Sequence, residues 1–190
     1  IGMGESNMVL WAARGPRERA YKLLSELLRA EYGLSPLPEL ARTGRGKPWL
    51  PAHPDVHFNL SHSGGLLLCG AGNTPLGVDI EAVRPRRETL VRYVLSPSEY
   101  AWYVQQGGRW ETLYTLWTLK EARCKCTGEG LRLHPKAIAV PLLRPGLSGK
   151  LEGLCFRAYG GAGWRAAACT PEPGALPEHI FWRDGFSPPG

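Results

Sequence analysis

The segment Gly77-Val78-Asp79-Ile80-Glu81 constrains the fold more than any other part of this chain. Side chains alternate along a strand, so Val78 and Ile80 bury one face while Asp79 and Glu81 share the other. The apolar face must be covered, and two carboxylates on a well-buried strand need a partner. About forty residues on, Trp117-Thr118-Leu119-Lys120-Glu121-Ala122-Arg123-Cys124-Lys125 reads as a helix. Residues four apart stack on one helical face, so Trp117, Glu121 and Lys125 form a stripe. If that helix crosses that strand, three carboxylates and a lysine converge. Such a group repels itself unless a hard cation neutralises it. A Mg2+ on Asp79, Glu81 and Glu121, with Lys125 beside it, suits chemistry on a phosphate. Taken separately, the two segments also fit a solvated strand edge and an exposed Glu–Lys pair.

The rest of the pattern reads as α+β. Residues 17–32 form an amphipathic helix on Ala20, Leu23, Leu24, Leu27 and Leu28, and Gly33 ends it. Strands are expected at 56–61 and 66–71, then a turn at 72–75. Ser96-Pro97-Ser98-Glu99 is a capping box with proline at the first helical position. The helix of Glu121 should run from 111 to 126 and stop at Gly128. Further strands are expected at 137–141, 154–159, 164–169 and 179–183, with 186–190 as a frayed tail. The turn divides the chain into an N-terminal half, 1–75, and a C-terminal half, 76–190. Each would set a helix against antiparallel strands.

At 190 residues and 43% hydrophobic content, the chain can bury one large core or two small ones. No apolar run reaches membrane-span length, and residues 1–7 lack the pattern of a signal peptide. The five cysteines are odd in number and contain no Cys-x-x-Cys. Free thiols in a reducing cytoplasm are expected, not a disulfide framework. A net charge of +6 points to a polyanionic partner: nucleic acid, a phosphorylated metabolite or an acidic protein. The basic residues are scattered, without the aromatic interleaving that tracks a single strand. Their densest cluster, Arg84-Pro85-Arg86-Arg87, reads as a solvated loop or a helix start.

Two further segments are candidates for phosphate contact. In Asn59-Leu60-Ser61-His62-Ser63-Gly64-Gly65, Ser61 and His62 point to opposite faces of an extended strand and cannot form a nucleophile–base pair. No Gly-x-Ser-x-Gly elbow is present. His62 at a strand end, beside glycine N–H groups, suits a phosphate oxygen, and equally a hydrogen-bonded loop. Gly46-Lys47-Pro48 is no P-loop, but it presents Lys47 between a flexible and a rigid residue. His53 and His57 are spoiled as a metal pair by Pro54. The glycines at 70–72 are spoiled as a dinucleotide fingerprint by Pro75.

Five motifs in order then resemble one family. They are Gly46-Lys47-Pro48, Phe58-Asn59-Leu60-Ser61-His62-Ser63, Gly77-Val78-Asp79-Ile80-Glu81, the helix Trp117 to Lys125, and Gly128-Glu129-Gly130-Leu131. The chain is similar to the surfactin-type (Sfp-type) 4′-phosphopantetheinyl transferases over about residues 44–131. The resemblance implies two similar α/β halves related by a pseudo-two-fold axis, with the active site in the cleft between them. It implies holo-acyl-carrier-protein synthase activity. The 4′-phosphopantetheine of coenzyme A passes to a serine of an apo acyl or peptidyl carrier protein, releasing 3′,5′-ADP.

By the same resemblance Asp79, Glu81 and Glu121 hold Mg2+ or Mn2+. Glu121, or a water it orients, is the base, with Glu81 as rival. Lys125 serves the leaving group and His62 a phosphate oxygen. Arg45, Lys47, Pro48, Asn59, Ser61 and Arg19 join them around coenzyme A. Where family members carry a basic leader, this chain offers Arg14, Arg17 and Arg19. A basic, partly apolar face would steer an acidic carrier, with Tyr93, Leu95, Tyr100 and Trp102 as apolar candidates or as core. A cytoplasmic monomer, without nucleic acid or membrane, is expected. The rival functions are a metal-dependent nuclease or phosphodiesterase, and a non-catalytic coenzyme A-binding module.

Overall fold

The computed structural model describes residues 7–183; the opening residues 1–6 and the expected tail at 186–190 lie outside the described residues. In chain order the elements are β1 (Val9–Arg14), α1 (Ala20–Tyr32), β2 (Ala41–Arg42), β3 (Pro48–Trp49), β4 (His57–Ser63), β5 (Leu66–Gly72), β6 (Gly77–Ala82), α2 (Thr89–Val94), α3 (Pro97–Gln105), α4 (Trp110–Thr127), β7 (Ser148–Leu151), β8 (Leu154–Gly161), β9 (Trp164–Thr170) and β10 (Phe181–Trp182). One four-stranded sheet has the order β10-β1-β5-β4 and another β6-β9-β8-β7, while β2 and β3 form a separate hairpin. All pairings are antiparallel except β1 with β10.

Strand alternation builds the layers. On the first sheet Trp11, Ala13, Leu67 and Cys69 meet Leu23, Leu24, Leu27 and Leu28 of α1. The neighbours Leu10, Ala12, Leu66 and Leu68 face the other way, onto Val78, Ile80, Ala166 and Ala168 of the second sheet. The far face of that sheet carries Phe156, Ala158, Ala167 and Cys169, covered by Leu116, Leu119 and Ala122 of α4. The order is helix, sheet, sheet, helix. β6 has its apolar residues in the central core and its acidic residues on the α4 side.

Two glycines set the spacing at β6. A Cβ on Gly77 would lie 2.0 Å from the Ala122 carbonyl oxygen and 2.4 Å from the Cys126 nitrogen. The backbone of α4 therefore rests on this residue. On the other side, a Cβ on Gly70 would meet Val78 Cγ1 at 2.7 Å. The helix ends as expected, with Gly128 in the left-handed conformation at φ 72°. The α3 capping box is also present, with Ser96 Oγ accepting from the Glu99 N–H and Glu99 Oε2 from the Ser96 N–H.

The strand expected at 137–141 is not formed. A short 3-10 turn, Pro135–Ala137, leads into extended chain whose carbonyls go to α4 side chains instead of a ladder. Lys120 Nζ donates to Pro135 O at 2.7 Å and Ile138 O at 3.0 Å, and Arg123 Nη1 donates to Ala139 O at 2.6 Å. Of the strand expected at 179–183, only Phe181–Trp182 pairs, and it returns to the first sheet beside β1. Strands β1 and β7 were not foreseen. All five cysteines are free and buried. Among the described residues no helix is long and apolar enough to cross a membrane.

Candidate functional site

The site grows from the seam between β4 and β6. β6 is the edge of its sheet, so alternate N–H groups point away from β9 and need acceptors. Side chains of β4 supply them. Asn59 Oδ1 accepts from the Val78 N–H at 2.8 Å and Ser61 Oγ from the Ile80 N–H at 3.1 Å. Ser63 Oγ takes the Ala82 N–H at a long 3.5 Å. The three acceptors share one face of β4 at two-residue spacing, which matches the two-residue spacing of the N–H groups they serve. The serines also donate, Ser61 Oγ to Asp79 Oδ1 at 2.9 Å and Ser63 Oγ to Glu81 Oε2 at 2.6 Å.

Asp79 is only 4% exposed. Its Oδ1 takes a second donor, Lys125 Nζ at 3.0 Å, while Oδ2 is buried with no partner among the described residues. Burial pushes its carboxyl up to about 7; Lys125 eases that rise, and Glu81 and Glu121 add to it. Glu121 is raised chiefly by burial, against the pull of Lys125 and with the push of Glu81. Trp117, Glu121 and Lys125 are all half-buried, as a stripe over the strand requires. Glu81 and Glu121 thus lie within electrostatic range of Asp79. Among the described residues no group of three His, Cys, Asp or Glu side chains is arranged to hold a metal ion. A buried carboxylate oxygen without a donor, next to two more carboxylates, is nonetheless the donor set a hard cation takes. Asp79 and Glu121 fit such an ion, with Glu81 beside them.

A cavity of about 760 Å³ opens between the β2–β3 hairpin and the last turns of α4; Arg45, Lys47, Pro48, Asn59, Glu121 and Lys125 are on its wall. Lys47 Nζ donates to Leu76 O at 3.0 Å and Lys125 O at 2.8 Å, and Arg45 Nη1 donates to Gly128 O at 2.7 Å. These last two acceptors lie at the negative end of the α4 dipole. Two hairpin cations thus mask the part of the helix that would repel an anion. Burial lowers the Lys47 ammonium below its usual value. Glu81 lines a second, smaller cavity of about 270 Å³ together with Arg86, Tyr114 and Trp117.

Five expected residues are not on the cavity wall: Asp79, Glu81 and Ser61, which lie on the seam between β4 and β6, and His62 and Arg19. His62 is exposed, one position along β4 from Ser61 and so on the opposite face. Arg19 sits at the start of α1, where Nη1 donates to Arg14 O at 2.5 Å. Ser61 is buried and bonded to Asp79. Of the apolar surface candidates, Leu95 is core at 2% exposure, and Tyr100 and Trp102 pack on the same core. Tyr93 is exposed. Cys124, Cys126 and Thr127 also line the large cavity, unforeseen.

Lys120 is the residue the sequence most concealed. It is fully buried and ion-paired with Glu99 at 2.8 Å. Burial lowers its ammonium, and the Glu99 hydrogen bond and charge oppose that. The available signal was its spacing, one turn beyond Leu116 on the apolar stripe of α4.

Residues 75–160 match a family model described as the 4′-phosphopantetheinyl transferase superfamily. The chain is 38% identical over 99 residues to a 4′-phosphopantetheinyl transferase of Bacillus subtilis, covering 51% of this chain and 44% of that protein. It is 32% identical over 143 residues to 4′-phosphopantetheinyl transferase Sfp of Bacillus subtilis (strain 168), covering 71% and 63%. It is 38% identical over 124 residues to 4′-phosphopantetheinyl transferase AcpT of Escherichia coli (strain K12), covering 62% of each. The chain thus spans less than two thirds of the length of these relatives.

Proposed function

Since the chain belongs to the Sfp-type 4′-phosphopantetheinyl transferases, we propose that it moves the 4′-phosphopantetheine group of coenzyme A to a serine of an acyl or peptidyl carrier protein. The reaction depends on Mg2+, with Mn2+ as the alternative, and releases 3′,5′-ADP. One observation carries this reading: the bare, buried Oδ2 of Asp79 beside Lys125, next to a cavity walled by Glu121 and the cations Arg45 and Lys47. Coenzyme A is a polyanion, and a wall of three cations around a carboxylate cluster suits its pyrophosphate.

Asp79 and Glu121 would hold the ion, with Glu81 directly or through water. When bound, it supplies positive charge to the phosphate as the phosphoanhydride bond breaks. The serine oxygen forms the new bond to phosphorus, and its proton goes to Glu121. Lys125 offsets negative charge on the departing ADP. Lys47 and Arg45, already on the α4 carbonyls, keep the nucleotide side of the cavity positive. In this reading residues 1–75 supply the coenzyme A wall and 76–190 the metal and carrier side, in a cytoplasmic monomer.

The test is incubation with Mg2+, coenzyme A and apo carrier proteins, followed by mass spectrometry of the carriers. A phosphopantetheine-sized gain is expected. No gain on several carriers refutes the transferase, and nicking of DNA under the same conditions favours a nuclease. Glu121→Gln should abolish the gain while leaving the far-ultraviolet circular dichroism unchanged. Near-normal turnover would remove Glu121 from the base and ligand roles.

A further inference from the structure

Asn59, Ser61 and Ser63 all satisfy the free edge of β6, but they do not do the same thing. The Asn59 amide oxygen accepts an N–H from Val78. Ser61 and Ser63 accept from Ile80 and Ala82 and also donate, to Asp79 and Glu81. Each serine is thus bonded twice to β6: once to an acidic side chain, once to the N–H of the residue that follows it. A serine hydroxyl has one proton. Since the backbone N–H already donates to Oγ, that single proton is left for the carboxylate. Its direction is set by the backbone of β6 and not by a freely turning hydroxyl.

The consequence is clearest at Asp79. Ser61 Oγ and Lys125 Nζ both donate to Oδ1, at 2.9 and 3.0 Å, and neither reaches Oδ2. Oδ2 is left buried and without a partner among the described residues. Random donor placement would share the two oxygens, because an unpartnered buried oxygen is costly. Here both donors fall on one oxygen, and the other is held open.

From this geometry we infer that Ser61, and Ser63 in the same way, are positioning residues that aim the carboxylates of Asp79 and Glu81 for a divalent cation, rather than contacts to coenzyme A. This rests on the proposed metal-dependent function. It differs from the expectation that Ser61 frames the nucleotide, and the two make opposite demands on kinetics. Hydrogen-bond partners of ligating groups change metal affinity or activity about 10- to 100-fold when removed. A substrate contact acts on the Michaelis constant instead.

The test uses the full chain and two readouts. Mn2+ is titrated without coenzyme A or carrier and followed by electron paramagnetic resonance, and kcat and KM for coenzyme A are measured on an apo carrier. Ser61→Ala should weaken Mn2+ binding about tenfold or more and lower kcat by a similar factor. Its KM for coenzyme A should stay within about twofold of wild type. Ser61→Thr, which keeps the hydroxyl, should recover the Mn2+ affinity. If Ser61→Ala does not fold, Ser61→Cys replaces it, with nearly the same shape and a weak donor. A raised KM with unchanged Mn2+ affinity overturns the inference and makes Ser61 a coenzyme A contact. Unchanged Mn2+ affinity and kcat in Ser63→Ala overturn the part concerning Ser63. Wild-type protein that binds Mn2+ but transfers nothing refutes the transferase and leaves the Mn2+ comparison to decide on Ser61. Wild-type protein that transfers, with Ser61→Ala equal to it in both readouts, overturns the inference alone.

Discussion

Asp79→Asn should stabilise the metal-free protein at pH 8 while abolishing transfer. The carboxyl rises from its ordinary 3.8 to about 7, chiefly through burial. The folded chain therefore binds more protons than the unfolded chain between about pH 4 and 7, and stability falls as pH rises through that window. The full cost of ionising Asp79 in place is about 4 kcal/mol. The amide is neutral at every pH and keeps an oxygen for Ser61 and Lys125. It gives back about 2 kcal/mol at every pH, because its NH2 inherits the site of Oδ2 without an acceptor. A net gain of about 2 kcal/mol at pH 8 follows, crossing zero at about pH 5 and becoming a loss of about 2 kcal/mol at pH 4. In a chain of this size the gain at pH 8 is a rise in Tm of about 4–8 °C. The assay is thermal unfolding of both proteins in chelator from pH 4 to 8. Mg2+ added at pH 8 should raise the wild-type Tm and leave Asp79→Asn unmoved. A variant less stable than wild type at pH 8, or a difference independent of pH, refutes the reasoning.

Gly77→Ala places a methyl within 2.0 Å of the Ala122 carbonyl, so α4 must lift from β6. We expect a loss of about 3 kcal/mol in urea unfolding and a disproportionate loss of transfer, since Glu121 and Lys125 move with the helix. An unshifted urea midpoint would show that α4 does not rest there. Lys120→Met leaves Glu99 buried without its cation. The expected cost is about 3–5 kcal/mol. Adding Glu99→Gln should return part of that cost in a double-mutant cycle, and strictly additive losses would show the pair to be uncoupled.

Much of the fold was legible because local rules decide it. The alternation at 77–81 correctly divided Val78 and Ile80 from Asp79 and Glu81. The helix limits at Ser96 and Gly128 followed from capping chemistry. The strand expected at 137–141 failed because Lys120 and Arg123 of α4, 18 and 16 residues earlier in the chain than their acceptors, take its carbonyls. The strand expected at 179–183 shrinks to β10 because only two of its residues meet β1.

The residue types of the site, their faces and their order were determined by the sequence alone. Periodicity places Glu121 and Lys125 on one stripe, and Asp79 and Glu81 on one strand face, whatever surrounds them. What that stripe and that face would meet was decided only in three dimensions. Gly77 lets the backbone of α4 settle on β6, which brings Lys125 to Asp79. Lys120 and Glu121 are neighbours of similar polarity in the chain. One is locked in the core by Glu99 and two carbonyls, and the other lines the cavity. The bare oxygen of Asp79 exists because β4 and α4 send their donors to the same atom, and which oxygen a donor reaches depends on packing between segments far apart in sequence.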